Sequence, residues 1–319
     1  MSHLSRLSLR LAAGVALLVA ASAASAAECP AGFPSKPITM MVGFGAGGGT
    51  DSIARAIAAA VEQQQGWTIV VDNRPGAGGG VMSASLKAAA PDGYTIGAAG
   101  TDTIAIVPYT TPDASFSHED FDYLASAMQI HLGLVTVTGA PYDTLEDFVE
   151  YARQKGRATV AVAGINQEIA IKQIAQHFGV NIIAIPGQGA ADALKNALGG
   201  HVDATTQGSQ HVQQILSGDM KQLASMIDKR SDYAPEAKTL LESGLDIDLQ
   251  AHTMFMAPKG LAPEIRTCLE QALDAAVNSE SYGELMKNLN NTALNVGPEK
   301  LREIIEKDAA FYEAQLSKG

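Results

Sequence analysis

Short apolar runs alternate with stretches of helical periodicity along most of this chain, and this alternation constrains its fold more than any other feature. Ile38–Val42 is an apolar run that leads into a glycine cluster, after which Ile53, Ile57 and Val61 recur every four residues. That period places the three side chains on one face of a helix. Strands that alternate with helices form βαβ units, so the sequence predicts the α/β class with mainly parallel sheets.

The same rhythm continues to the C-terminus. After the first strand and helix, the predicted strands are 68–71, 94–98, 131–137, 158–162, 182–185 and 223–227, and the predicted helices are 81–90, 144–155, 167–178, 190–198, 212–216, 263–278 and 298–316. A chain of 319 residues is longer than one typical domain core requires. Two domains are therefore expected.

Composition excludes several classes of protein. The formal net charge is −12, whereas binding to nucleic acid or to an anionic membrane surface requires a basic footprint. Two cysteines are too few for a multi-bridge disulfide scaffold, a four-cysteine zinc site or an all-cysteine iron–sulfur cluster. The seven histidines show no metal-ligand spacing, and the chain has no G-x-S-x-G motif. We expect neither a metal site nor a catalytic centre.

Residues 1–27 have the pattern of a secretory signal peptide. Arg6 and Arg10 provide a basic start, Leu11–Ala23 is apolar, and small residues permit cleavage after Ala26 or Ala27. The apolar run is shorter than the roughly 18–20 residues that a membrane-spanning helix needs, which argues against an anchor.

Export changes both the charge and the redox setting of the mature chain. Loss of the two basic residues leaves 20 basic against 34 acidic side chains, a net charge of −14. In an oxidising compartment Cys29 and Cys268 can form a disulfide, but two free thiols are equally compatible with the sequence.

The glycine loop Gly43–Gly48 allows two interpretations. It satisfies G-x-G-x-x-G after a strand and before a helix, and Asp72 ends the next strand, as in a dinucleotide-binding fold. An NAD(P)-dependent oxidoreductase is therefore one hypothesis. Against it stand the export signal, a second glycine-rich loop at 73–80 that a dinucleotide site does not need, and the lack of a catalytic partner.

The other interpretation is a site for a small anion. Each loop ends a strand and opens a helix, where backbone N–H groups are unpaired and carry partial positive charge. Glycines allow a ligand to approach that backbone closely. Two such loops at neighbouring strand ends would form one concave site for a carboxylate without any basic side chain.

Six segments carry a resemblance that covers essentially the whole mature chain. They are VGFGAGGGTDSIAR (42–55), VVDNRPGAGGG (70–80), APDGYT (90–95), IPGQGAADALKNALGGHVDA (185–204), KRSDYAPEAKTLLESG (229–244) and APKGLAPE (257–264). In this order and spacing they resemble the solute-binding proteins of the tripartite tricarboxylate transporter (Bug-type) family. The pairing of the first three segments is more specific than the glycine loop alone.

The resemblance implies a two-lobed, type II periplasmic-binding fold. Lobe 1 would comprise 28–127 and 251–319, and lobe 2 would comprise 128–250. A small organic carboxylate would bind in the interlobe cleft of a periplasmic monomer, which would deliver it to integral membrane transporter subunits without an enzymatic step or a cofactor. A ligand-binding partner of a membrane sensor is a further alternative, because it would use the same closed shape.

The resemblance also implies a ligand site on lobe 1. The residues that match it are Phe44, Gly45, Gly48, Gly49, Thr50, Ala77, Gly78, Thr101 and Asp102. Asp51 is expected to be a helix cap or first-turn acid, because a carboxylate facing a carboxylate ligand would repel it. Arg74 is expected to brace its own loop against a carboxylate.

Lobe 2 departs from the family pattern. The family often shows Gly-Thr-x-x-His-Leu-Ala where this chain has GINQEIA (164–170), and Pro-Tyr-Lys-Gly where it has PGQG (186–189). A less cationic half-pocket favours a ligand whose far end is neutral, amino-bearing or aromatic. The expected lining residues are Gly164, Ile165, Asn166, Gln188 and Gln207, with Ser209 as a further candidate. Glu168 either meets an ammonium group or, as we favour, is an exposed first-turn residue.

Overall fold

Two five-stranded sheets form the framework of the computed structural model, which describes residues 27–111, 114–187, 190–209 and 211–316. Residues 1–26 of the predicted signal peptide and the candidate Gln188 lie outside these ranges. Both sheets are mixed. In each, four strands run in one direction and one strand runs against them.

The first sheet is built from both ends of the chain. Its strands are β1 (Ile38–Val42), β2 (Ile69–Asn73), β3 (Thr95–Gly100), β4 (Phe121–Ile130) and β10 (Ala251–Pro258), in the order β2-β1-β3-β10-β4. β10 is antiparallel to both neighbours. One face is covered by α1 (Gly49–Gln65), α8 (Pro263–Val277) and α9 (Glu280–Asn288), and the other by α2 (Gly80–Lys87), α3 (Thr101–Thr110) and α10 (Pro298–Leu316).

The second sheet repeats this arrangement with the middle of the chain. Its strands are β5 (Gly133–Val137), β6 (Ala158–Val162), β7 (Ile182–Pro186), β8 (Ala204–Gln207) and β9 (Met220–Ser225), in the order β7-β6-β8-β5-β9. Here β5 is the reversed strand. One face packs against α4 (Leu145–Lys155) and α5 (Ile165–Phe178), and the other against α6 (Ala190–Leu198) and α7 (His211–Leu216).

The chain passes between the sheets twice. Only His131 and Leu132 separate β4 from β5, and residues 226–250 connect β9 to β10. β4 continues without interruption past residue 127, which is the predicted end of the first part of lobe 1. The lobe limits stay a prediction.

Local signals place most helix ends correctly, but five elements are absent from the predictions. Gly66 ends α1 in the left-handed conformation (φ 72°), and the Thr144 hydroxyl accepts the Asp147 N–H at 3.1 Å to cap α4. The missed elements are α3, β4, β8, α9 and β10. β4 and β10 are buried along almost their whole length, so neither shows the alternation of polar and apolar residues that marks a half-buried strand. α3 is rich in threonine and β-branched residues and contains Pro108, which weakens its helical signal.

A disulfide joins Cys29 to Cys268 across 239 positions of sequence. Cys268 is fully buried in α8, whereas Cys29 lies in the N-terminal arm. Two further bonds hold that arm: Glu28 N–H donates to Gln271 Oε1 at 2.8 Å, and Ala27 N–H donates to Gln65 Oε1 at 3.1 Å. The disulfide is therefore the covalent part of a small set of contacts that fix the N-terminal arm.

We expect Cys29→Ala to lower the free energy of unfolding by about 2–4 kcal/mol, because the disulfide closes a long loop in the unfolded chain. Urea denaturation of the mature protein without reductant measures the loss. Adding reductant should bring the wild type down to the level of the variant. Equal stability of the two oxidised proteins would contradict the prediction.

Candidate functional site

Three loops of the first sheet meet at one edge, because β2, β1 and β3 are adjacent parallel strands. The loops after β1 and β2 approach so closely that a Cβ atom on Gly43 would lie 3.0 Å from Gly79 Cα. The loops after β2 and β3 are joined by a hydrogen bond from Thr103 Oγ1 to the Gly78 carbonyl at 2.9 Å. The predicted lobe 1 residues therefore share one surface.

The loop between β1 and α1 is braced by a buried carboxylate. Asp51 accepts the Gly47 N–H at 2.8 Å, Asn73 Nδ2 at 2.8 Å and Arg55 Nε at 3.0 Å. Asn73 also donates to the Phe44 carbonyl at 3.0 Å. These hydrogen bonds, with that of Arg55 first, lower the pKa of Asp51 to about 2. Asp51 is a first-turn acid of α1, as predicted, and it holds the loop in shape.

The start of α1 leaves backbone donors available. Gly48 is the N-cap residue, and Gly45 and Gly49 are exposed with open space where a Cβ would lie. No oxygen of the described residues accepts a hydrogen bond from the N–H groups of Gly49 or Thr50. The helix dipole places partial positive charge on these groups, so they can bind an anion.

The loop between β2 and α2 is a tight turn. Ala77 (φ 48°), Gly78 and Gly79 all have positive φ, and a Cβ on Gly79 would lie 2.8 Å from Thr103 Cγ2. Only glycine fits at position 79. Arg74 at the start of this loop pairs with Asp72 at 2.8 Å, so it braces the loop as expected.

Thr101 and Asp102 begin α3 beside the other two loops. Thr101 is fully buried, and its hydroxyl accepts the His252 N–H of β10 at 3.1 Å. Asp102 folds back over Gly100, where a Cβ would clash with its Oδ1, and that oxygen accepts the Thr103 N–H at 3.0 Å. Burial raises the pKa of Asp102.

In the second sheet, an asparagine at the start of α5 folds back over a glycine in the same way. Asn166 Oδ1 accepts the Gln167 N–H at 2.9 Å, and a Cβ on Gly164 would lie 2.9 Å from that oxygen. Ile165 is half-buried. With Ile169 it packs against an apolar cluster of Ala105 and Ile106 on α3 and Phe311 and Tyr312 on α10. The predicted lobe 2 loop thus contacts helices of the first sheet.

A small cavity of about 110 Å³ lies beside this contact. Asn166 lines it from α5, Asp308 from α10, and Asp248 from the segment before β10. Burial, followed by repulsion from Asp248 and Asp102, raises the pKa of Asp308 to about 7, and Lys307 partly opposes the shift.

The remaining candidates of the second sheet are engaged in hydrogen bonds or ion pairs. Gln207 is fully buried, and its Nε2 donates to the Thr205 hydroxyl at 3.0 Å. Glu168 is a first-turn residue of α5, as we favoured, but it is half-buried and not exposed, and it pairs with Lys172 at 2.7 Å. Ser209 Oγ donates to Asn291 Oδ1 at 2.6 Å, which links the loop after β8 to the turn after α9.

A larger cavity of about 430 Å³ lies between elements of both sheets, a size typical of sites for small molecules. It brings together the predicted residues Gly49, Thr50 and Ser209. The other lining residues are Ile53, Met128, Ile130, Gly208, Gln213, Thr253, Asn288, Leu289, Asn290 and Asn291. Phe44, Gly45, Ala77 and Gly78 lie on the loop surface and do not line this cavity.

Sequence reasoning missed the strand residues and the 288–291 turn that line the large cavity. Met128, Ile130 and Thr253 belong to β4 and β10, which were not predicted. The one available signal was the polar run Asn288–Asn291 between two helical stretches.

Comparisons with known proteins agree with this architecture. Residues 53–314 match the sequence model of the tripartite tricarboxylate transporter family receptor. The chain belongs to this family. The receptor is 30% identical over 254 residues to the UPF0065 protein in the gbd 5' region of Cupriavidus necator, covering 78% of this chain and 77% of that protein.

Solved structures confirm the predicted fold. A TctC solute-binding protein from Polaromonas has a TM-score of 0.80 and 29% identity, and the match covers 90% of the receptor and all of that chain (100%). MatC from Rhodopseudomonas palustris, solved with bound malate, shares the fold with a TM-score of 0.71 and 24% identity over 89% of the receptor and 100% of MatC. The receptor is thus a solute-binding protein and not an enzyme, and the oxidoreductase hypothesis is wrong.

Two structural findings concern other classes of site. Within the described ranges, no group of three or more His, Cys, Asp or Glu side chains could hold a metal ion. None of the helices in those ranges combines the length and apolar character needed to cross a bilayer.

We expect Asp51→Asn to lower the melting temperature at pH 7, because the amide cannot replace the charged acceptor of three donors. The folded-state pKa of about 2 lies below the unfolded value of about 3.9. The stabilisation is therefore complete above that unfolded value and is lost as the pH falls towards the folded-state pKa. Urea denaturation should show that the variant loses less free energy of unfolding, relative to wild type, at pH 3 than at pH 7. Glu62→Gln, at an exposed site on the same helix, is the control; an equal deficit in both variants would refute the bracing role.

Asp308→Asn should have the opposite pH dependence. The folded-state pKa of the wild-type Asp308 carboxyl, about 7, lies above the unfolded value of about 3.9. The contribution of Asp308 to the free energy of unfolding therefore falls as the pH rises between these two values. The variant should gain roughly 1–3 kcal/mol relative to wild type between pH 5 and pH 8. Asp246→Asn, at an exposed residue of the same cavity, is the control. A pH-independent difference between Asp308→Asn and wild type would disprove the prediction.

Proposed function

We propose that this receptor captures a small organic carboxylate between its two sheets in the periplasm and presents it to the membrane subunits of a tripartite tricarboxylate transporter. The observation that carries the proposal is the position of the α1 N-terminus. Gly49 and Thr50 line the large cavity, and their N–H groups have no acceptor among the described residues. Gly208 and Ser209 of the second sheet line the same cavity.

The charge of the cavity wall supports capture by backbone groups. None of the described lining residues carries a charge, and the mature chain has a net charge of −14. Attraction of an anion must therefore come from nearby dipoles, which act within a few ångströms. Salt screens the more distant acidic side chains, so their repulsion does not cancel this local attraction.

The position of the cavity between the sheets supports a closing motion. We infer that residues 28–127 with 251–319 form one lobe and residues 128–250 the other. A ligand that contacts α1 on one side and the loop after β8 on the other stabilises the closed form and shifts the population towards it. The signal-like N-terminus and the Cys29–Cys268 disulfide support export to the periplasm. We further propose that the receptor acts as a monomer.

The bound malate of MatC fits a carboxylate ligand, although its 24% identity with the receptor establishes only the fold. The identity of the acid is a separate question, because the residues of the second sheet differ from the family pattern at the far end of the site.

Gly49→Pro tests the carboxylate site directly. Proline is favoured at the first helical position and removes the Gly49 N–H, and the extended Gly48 (ψ 170°) accommodates a following proline. Loss of one hydrogen bond to a charged ligand should weaken binding by about 10- to 100-fold in isothermal titration. Gly49→Ala keeps the N–H, so it should bind the acid more tightly than Gly49→Pro does.

A thermal-shift screen of the mature protein against organic acids, with NAD and NADP included, identifies the ligands for this titration. A ligand present at about a hundredfold its dissociation constant should add about 2.7 kcal/mol of stability. If Gly49→Pro binds the acid as tightly as Gly49→Ala does, the α1 N-terminus is not the carboxylate site. Stabilisation by a dinucleotide and by no acid would overturn the proposed function.

A further inference from the structure

Part of the wall of the large cavity is apolar. Ile53 of α1, Met128 and Ile130 of β4, and Leu289 at the end of α9 all line it. Ile53 and Met128 also belong to the core of the first sheet, so their positions are fixed by packing. A ligand that fills this cavity must therefore place an apolar body against these side chains.

The polar groups of the cavity are all uncharged. Thr50, Ser209, Gln213 and Thr253 offer hydroxyl and amide groups, but no lysine, arginine or histidine lines the cavity among the described residues. An ionised carboxylate that loses its water without gaining a cation or a set of N–H donors is strongly disfavoured. The α1 N-terminus can serve one carboxylate, and the described lining residues include no cation for a second one.

The turn after α9 presents further uncharged donors and acceptors. Asn290 has a left-handed backbone (φ 51°), the Asn291 N–H donates to the Met286 carbonyl at 2.8 Å, and Ser209 donates to Asn291 Oδ1 at 2.6 Å. Within the described ranges, the side-chain amides of Asn288 and Asn290 have no hydrogen-bond partner. A fixed turn with free amides can bind a hydroxyl, carbonyl or amide at the rim of the cavity.

We propose that the receptor selects a monocarboxylate with an apolar aliphatic or aromatic body and an uncharged far end, and that it discriminates against dicarboxylates. This inference rests on the proposed function, because it takes the α1 N-terminus as the carboxylate site. It goes further by assigning selectivity to the apolar wall and to the uncharged turn at 288–291.

Matched acids test the proposal on the wild-type protein. Hexanoate and adipate have the same chain length and differ by the second carboxylate, and we expect hexanoate to bind about tenfold more tightly or better in isothermal titration. Along the series propionate, butyrate and hexanoate, affinity should rise about threefold to fourfold for each methylene that enters the cavity.

Leu289→Lys tests the role of the wall. Leu289 is 44% exposed, so a lysine can replace it without entering the core. The new ammonium can pair with the second carboxylate of adipate, and hexanoate loses an apolar contact. The affinity ratio of adipate to hexanoate should rise about fivefold or more. Leu198→Lys makes the same change at a leucine that is 45% exposed and does not line the cavity, so its ratio should equal that of wild type.

The outcomes separate this inference from the function on which it rests. If adipate binds wild type as tightly as hexanoate and Gly49→Pro weakens both, the carboxylate site stands and the proposed selectivity is overturned. An equal rise of the ratio in Leu289→Lys and Leu198→Lys likewise overturns the role of the wall. If neither hexanoate nor adipate binds and no other carboxylate does, the proposed function fails and the inference fails with it.

Discussion

The hydrogen bonds of the Asp51 carboxylate fix the loop between β1 and α1, and the rest of the site depends on the shape of that loop. Asp51 accepts hydrogen bonds from the Gly47 N–H and from Asn73 Nδ2, and Asn73 also donates to the Phe44 carbonyl. The protein thus uses one of its own anions on one side of the helix end. The N–H groups of Gly49 and Thr50 remain for an anion from outside. A chain with a strongly negative net charge can bind a carboxylate in this way, because the attraction is local and comes from the backbone.

The same arrangement appears in both sheets, with one chemical difference. In each, a helix begins with an Asx side chain that folds back over a glycine two residues earlier: Asp102 over Gly100, and Asn166 over Gly164. In both cases the Oδ1 atom accepts the N–H of the next residue. The first sheet uses an aspartic acid for this purpose, and the second uses an uncharged amide. The described lining residues of the large cavity are uncharged as well, so the proposed ligand site also has no cation among them.

The sequence predicts the parts of this structure that local patterns encode. The glycine loops, the caps at Gly66 and Thr144 and the βαβ order follow from side-chain period and turn chemistry, and the structure contains them. β4 and β10 are buried on both faces, so their sequences show no alternation and were not recognised. Pairings between distant parts of the chain have no local signal. For this reason the sequence left the state of Cys29 and Cys268 open and gave no sign that Ile165 packs against helices of the first sheet.

The C-terminal part of the chain does more than complete the first sheet. Asn288–Asn291 and α10 each meet an element of the second sheet, the former through Ser209 and the latter through Ile165. The same two segments form walls of the large and the small cavity, respectively. Any motion that separates the sheets must break these contacts, and any ligand in the large cavity lies beside one of them. If a ligand closes the two sheets as we propose, its selection and the closure are coupled through these residues, which lie outside the glycine motifs on which the family resemblance rests.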